Sequence, residues 1–202
     1  MLSDRVAQLR REEDEVLEGE VFQGETVTGE DLQDLELTGV TFLKCRFVDC
    51  RFSGSSFYQV KIEGCDFSNC SFTDSRWKDC TLTGCKGMGA DFRASHWRGC
   101  RLSECALPMA NFAQTLWNDC AWRECDLRQS LWMECRLSKW SAAKCDLTGV
   151  SFFRTPLKGL DLSTCDIEGI TVSETFSELR GLTVGAHQTV GLARILGIKV
   201  EG

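Results

Sequence analysis

Cysteine is the residue most able to do chemistry in this chain, and 202 residues contain 13 of them. Thiolates bind metals, form disulfides and act as nucleophiles. The usual signatures of those roles are missing. No Cys-x-x-Cys occurs, His96 and His187 are the only histidines, and the cysteine count is odd. There is no Gly-x-Ser-x-Gly motif and no phosphate-binding loop. No catalytic residue, cofactor site or metal site is therefore expected.

The spacing of the cysteines points elsewhere. They stand at 45, 50, 65, 70, 80, 85, 100, 105, 120, 125, 135, 145 and 165, all multiples of five. Two residues after each multiple of five, from Phe22 to Val172, comes a large apolar residue, with breaks only at Gly87 and Ala142. Residues 20–174 are about 31 uninterrupted copies of small-polar-large-polar-polar. A period of five fits neither a helix nor a flat strand. It fits a chain that turns a corner every five residues, with the small and large positions inward and the other three in water.

A second period of 20 supports a square coil. Cys45, Cys65, Cys85, Cys105, Cys125, Cys145 and Cys165 form one column, and Trp77, Trp97 and Trp117 form another. With Phe47 and Phe67, these are the expected core. The cysteines then read as compact hydrophobes rather than reagents. Their stacking distance would suit a disulfide, but their side chains should run parallel. Five of the six tryptophans fall in the large inward position. Trp140 falls in the small position and Ala142 in the large one, which reads as a size exchange within one layer. At about 4.8 Å per coil, about eight coils would make a rod roughly 40 Å long.

The chain is 43% apolar with a formal net charge of -7, so a core is affordable and direct binding to nucleic acid is disfavoured. No run of 18 apolar residues suggests a membrane span. The opening MLSDRVAQLRREEDE has no apolar signal-peptide core, so the expected location is the cytoplasm. Residues 1–19 form a charged segment or cap, either disordered or a short helix over 3–15 with Ser3 as N-cap. After Val172 the register slips and restarts at Leu179, about two residues late. Residues 175–202 then hold a last partial coil and a helix over 186–196 closed by Gly197, with His187 on the surface.

Units such as CDFSN, ADFRA, ANFAQ and CDLTG resemble the pentapeptide-repeat family, whose units read A(D/N)LXX. The resemblance implies an all-β fold, a right-handed quadrilateral parallel β-helix. The tail LRGLTVGAHQTVGLARILGIKVEG, with Gln188 opening a helix and Leu196-Gly197-Ile198 closing it, is similar to the quinolone-resistance branch of Qnr and MfpA. So is LKGLDLSTCDIEGITVS (157–173). That branch implies a non-enzymatic homodimer joined through its C-terminal module, with the girth and charge of B-DNA. It binds DNA gyrase or topoisomerase IV in place of DNA and protects the enzyme from quinolones. By resemblance, Val190, Ala193, Leu196 and Ile198 are the expected dimer interface. The alternative is an interaction scaffold with another protein partner.

Two features bear on that reading. Residues 12–43 contain 11 acids and no Lys or Arg, making Glu12, Glu13, Asp14, Glu15, Glu18, Glu20, Glu25, Glu30 and Asp31 partner-binding candidates. Residues 76–144, however, carry 11 bases and 7 acids. A DNA mimic then requires the bases to collect on faces other than the one that binds. The loops of many Qnr proteins are absent. The nearest substitute is CKGMGA (85–90), where Gly87 replaces a core residue and Lys86 and Met88 point outward. It reads either as a small bulge touching a partner or as a tolerated core defect.

Overall fold

The computed structural model describes residues 1–201. It is a parallel β-solenoid in which residues 20 apart lie side by side. The first face stacks seven three-residue strands, from Val16–Glu18 through Arg76–Lys78 and His96–Arg98 to Arg136–Ser138. The second stacks seven more, from Val21–Gln23 to Ser141–Ala143. The third face begins with strands Thr26–Thr28 and Arg46–Val48 and continues as single bridges from Asp66 to Asp166. The fourth consists of bridges from Asp31 to Thr171. Seven strands 20 residues apart enclose six regular turns, slightly fewer than the eight coils expected. The rest of the rod, toward the C-terminus, is built from bridges and turns. The stack also begins earlier than the repeat suggested, because Val16–Glu18 pairs with Glu36–Thr38.

The corners have a common geometry. From Gly19 to Gly169, every fifth residue except Thr164 lies in the left-handed region. Side chains as ill suited to it as Met109 (φ 59°) and Arg154 (φ 56°) adopt it. The stack, not local preference, therefore imposes the turn. On the third and fourth faces the turn is also hydrogen-bonded, as where Cys70 N donates to Phe67 O at 3.1 Å across Asn69. Positive φ at the third position of a four-residue turn is the type II pattern.

The inward residues build one continuous core. Stacked aromatic columns run through it: the ring centroids of Phe57 and Trp77 are 3.8 Å apart, Trp77 and Trp97 4.4 Å, and Trp97 and Trp117 4.8 Å. Each of these indoles also has a hydrogen-bond acceptor two residues back. The Trp77, Trp97 and Trp117 Nε1 groups donate at 2.8 Å to the Ser75, Ser95 and Thr115 hydroxyls. Ser75 and Ser95 in turn donate to the Phe72 and Phe92 carbonyls at 2.6 Å. Trp132 repeats the arrangement with Ser130. Trp122 follows Cys120 instead, and its buried N–H has no partner among the described residues; nor has that of Trp140.

All 13 cysteines are buried and free. Many of their thiols donate to carbonyls of the preceding coil, as from Cys45 to Phe22 O (3.3 Å) and from Cys80 to Phe57 O (3.2 Å), and others to the carbonyl two residues back, as from Cys100 to Arg98 O. Burial pushes the Cys65 thiol up to about 12, so it stays neutral at physiological pH. Trp140 and Ala142 are both buried, and Ala142 pairs with Trp122. The Trp140 ring centroid lies 5.4 Å from that of Trp132.

The indole–hydroxyl pairing sets two opposite expectations for urea unfolding. Ser95→Ala strands the Trp97 N–H and should cost about 1–3 kcal/mol. Cys120→Ser gives the Trp122 N–H an acceptor and should raise stability by about 0.5–1.5 kcal/mol. Equal effects of the two changes would contradict the pairing.

Candidate partner-binding surface

The outward residues sort by face. The third face carries six acids (Asp49, Asp66, Asp126, Asp146, Asp166, Glu168) against Arg46, Lys86 and Arg128. The fourth carries Asp31, Asp34, Asp74, Asp91, Glu134 and Glu174 against Arg51, Arg93 and Arg154. The first face reverses this balance, with Arg76, Lys78, Arg98, Arg136, Lys139 and Lys158 against four acids. The second is nearly even. The basic middle of the sequence is thus uneven in space, and the acidic faces are two that share an edge.

Within the acidic pair of faces, Asp126, Asp146 and Asp166 stack in successive coils. Arg128 lies 2.7 Å from Asp126 and 3.6 Å from Asp146. Its hydrogen bond holds the Asp126 carboxyl below the usual range despite partial burial. Asp166 has no ion-pair partner within 4 Å among the described residues. The same side carries exposed methionines: Met88, stacked against half-buried Pro108, and Met109 at the corner. Met109 was not among the sequence candidates. Its place in the polar corner position, where a methionine is unexpected, was the available signal.

Lys86 and Met88 are exposed as expected, but no bulge forms between them. Lys86 bridges to both Asp66 and Ala106, and Gly87 N donates to Ala106 O at 2.8 Å. Nor is Gly87 an empty defect. A Cβ there would lie 2.8 Å from Phe67 Cδ2 and 2.5 Å from Leu107 Cδ2, so these neighbours already fill the space.

The N-terminal candidates divide. Residues 2–12 form helix α1 (Leu2–Glu12), whose Leu2, Val6 and Leu9 are buried against the open end of the solenoid. Ser3 is not its N-cap. Met1 occupies that position, and the Leu2 N–H donates instead to the Glu25 carboxylate at 2.8 Å. A carboxylate there meets both the unpaired amides and the positive end of the helix dipole. Glu20 accepts from Arg5 Nε at 2.7 Å. Glu20 and Glu25 therefore hold the cap and are not free partner-binding groups. Asp31 is exposed and engaged by Gln33 and Arg51. Glu12, Glu13, Asp14, Glu15 and Glu18 are exposed, while Glu30 is half-buried. The signal for the cap was present in the sequence: glutamates occupy the small inward position at 20, 25 and 30.

At the other end the register slip is visible in the backbone. Leu157 N donates to Glu178 O and Leu162 N to Thr183 O, spacings two residues longer than in the regular coils. Gln188 closes this end. Its buried amide donates to Leu162 O (3.0 Å) and Cys165 O (2.6 Å) and accepts from Gly185 N (2.6 Å). The helix predicted over 186–196 is a 3-10 turn, Ala186–Gln188, running into α2 (Thr189–Ile195). Gly197, at φ 77°, ends it with paired bonds from Gly197 N to Arg194 O and from Ile198 N to Ala193 O. Leu192 and Ile195 pack on the body. Val190, Leu196, Ile198 and Val200 remain exposed, and Ala193 is half-buried. His187 is exposed. Among the described residues, no three His, Cys, Asp or Glu side chains are grouped to hold a metal ion, and no helix is long and apolar enough to cross a membrane.

Comparisons with known proteins agree with this architecture. A family model described as "Pentapeptide repeat region" matches residues 75–152, and one described as "Pentapeptide repeats (9 copies)" matches 37–81. Among solved structures, a trypsin-treated variant of QnrB1 superposes with a TM-score of 0.56 at 22% identity, covering 92% of this chain and 97% of that one. Full-length QnrB1 gives 0.50 at 20% identity, covering 88% and 100%. Both are described as a plasmid-mediated fluoroquinolone resistance protein. No curated protein matches.

Glu178 is the buried acid of the C-terminal closure, 2% exposed. Burial opposes its charge. The amides of Arg154 and Ser173 and the Ser173 hydroxyl outweigh that, holding its pKa below the usual range. A depressed carboxylate pKa stabilises the fold above the unfolded-state value and loses that contribution as pH falls through the folded-state value. Glu178→Gln should therefore be about 1–3 kcal/mol less stable than the parent at pH 7. The gap should close below about pH 4. Urea unfolding at both pH values measures it.

Proposed function

Because the chain belongs to the pentapeptide-repeat family, with a fold like that of QnrB1, we propose that it is a non-enzymatic DNA mimic. It binds a bacterial type II topoisomerase, DNA gyrase or topoisomerase IV, and protects it from quinolones. The observation that carries this reading is the sorting of charge. Acids dominate two adjacent faces and the bases collect mainly on the opposite pair. A surface that occupies a DNA-binding saddle must offer a continuous negative field to the cations that normally meet phosphates. Faces three and four carry the acidic excess, continuous along Asp126, Asp146 and Asp166, with Met88 and Met109 as adaptable apolar contacts on the same side.

The reading includes a homodimer formed through the C-terminal helix. Val190, Leu196 and Ile198 are apolar and exposed at the end of the rod, where an open solenoid otherwise invites uncontrolled stacking. Joining two rods there places the acidic N-terminal segments, including Glu12–Glu15, at the far ends.

Supercoiling by gyrase in the presence of ciprofloxacin tests the proposal. Added protein should restore supercoiling at low molar excess. Asp126→Lys/Asp146→Lys/Asp166→Lys should abolish the rescue while retaining the parent's circular dichroism. No rescue at any concentration, or equal rescue by the reversed variant, would overturn the mimicry. A pull-down dominated by another protein would favour the scaffold reading.

A further inference from the structure

The first face contains a feature that DNA mimicry does not use. Between Tyr58 and Ser138 runs a shallow groove of about 430 Å³ over the backs of the Trp77, Trp97 and Trp117 strands. Arg76, His96, Leu116 and Arg136 form one outward column, and Lys78, Arg98, Asn118 and Ser138 form the other. Two successive coils thus place Arg76, Lys78, His96 and Arg98 in a block about 5 Å by 7 Å between Cα positions.

The arginines and the lysine of this block are free. On the other faces Arg51, Arg93, Arg101, Arg123, Arg128, Lys144 and Arg154 each lie within 4 Å of a carboxylate, whereas the unpaired Lys44, Arg46, Lys61 and Lys86 are spread over two faces and form no such block. Arg76, Lys78, Arg98 and Arg136 have no such partner among the described residues. The acids nearest the groove are Asp79 and Asp119 along one edge and Asp74 and Glu134 along the other. Asp119 is paired with Arg101 and Glu134 with Arg154.

We propose that this groove is a second binding surface, and that its partner is a short, extended, acidic polypeptide segment. Charge complementarity sets the sign of the partner. Five coils span about 19 Å, the length of about six extended residues. Leu116, between His96 and Arg136, and Tyr58, at the N-terminal end of the groove, supply apolar contact. A long polyanion fits less well. Followed toward the N-terminus, it would leave the groove onto Glu36 and Glu18 and then reach Glu12–Glu15, on a molecule whose net charge is -7. The surface lies opposite the third face and shares an edge with the fourth, so it remains open when a partner engages the third face. The proposal stands whether or not the protein acts on a topoisomerase.

Fluorescence anisotropy of a labelled hexaglutamate peptide against the full chain at low salt tests it. Saturable binding is expected, lost at 0.5 M salt and weakened at least about tenfold by Arg76→Glu/Arg98→Glu. Arg46→Glu/Lys86→Glu makes the same change in net charge on the third face and should weaken binding by no more than about threefold. Circular dichroism checks that each variant folds, and Lys78→Ala, which should weaken binding severalfold, serves if a double variant does not. Absence of saturable binding or equal loss in the two double variants would overturn the proposal. So would tighter binding of a single-stranded oligonucleotide or an anionic vesicle than of the peptide.

Discussion

Everything in this molecule depends on each residue lying beside the one 20 places away. Backbone hydrogen bonds of about 2.7–3.2 Å repeat that relation along the rod. They determine which side chains must share a column. Rings stack on rings and thiols on thiols because each coil offers its neighbour the same cross-section. The left-handed corner follows from the same demand. A corner that opened by a few degrees would lift the next coil off its partner, so Met109 and Arg154 accept a backbone that neither favours.

A stack of this kind must stop, and its two ends do so by different chemistry. At the N-terminus a helix lies across the opening, held by carboxylates where the repeat calls for small residues. At the C-terminus two extra residues break the register, and a buried amide, Gln188, satisfies carbonyls that have no further coil above them. Both solutions place polar side chains where the interior of the rod has apolar ones. The reason is the same at each end: exposed ladder groups need partners other than another coil.

The fold was legible in the sequence because period five leaves few geometric alternatives, and the cysteine and tryptophan columns gave the coil its length. The two-residue slip before Leu179 was legible too. What remained hidden concerned groups acting across distance. Ser3 looked like a helix cap, yet Glu25, 23 residues from the Leu2 amide it accepts from, took the role. Glu20 looked like part of a free acidic surface and proved to be tied to Arg5. The basic stretch 76–144 looked like an obstacle to a negative surface until the coil distributed its residues over four faces. Linear charge counts carry no such information, whereas position modulo 20 does, once the coil is accepted.

The corner residues have one more consequence. Since the stack dictates the backbone at every fifth position whatever side chain stands there, the outward three-fifths of each unit are nearly independent of the interior. Lineages can rewrite the surface one substitution at a time while the core stays in frame. Insertions and deletions are held to a stricter grammar, because inside the regular stack anything short of a whole coil shifts the columns beyond it. Such a scaffold can change its partners quickly and its length only in steps.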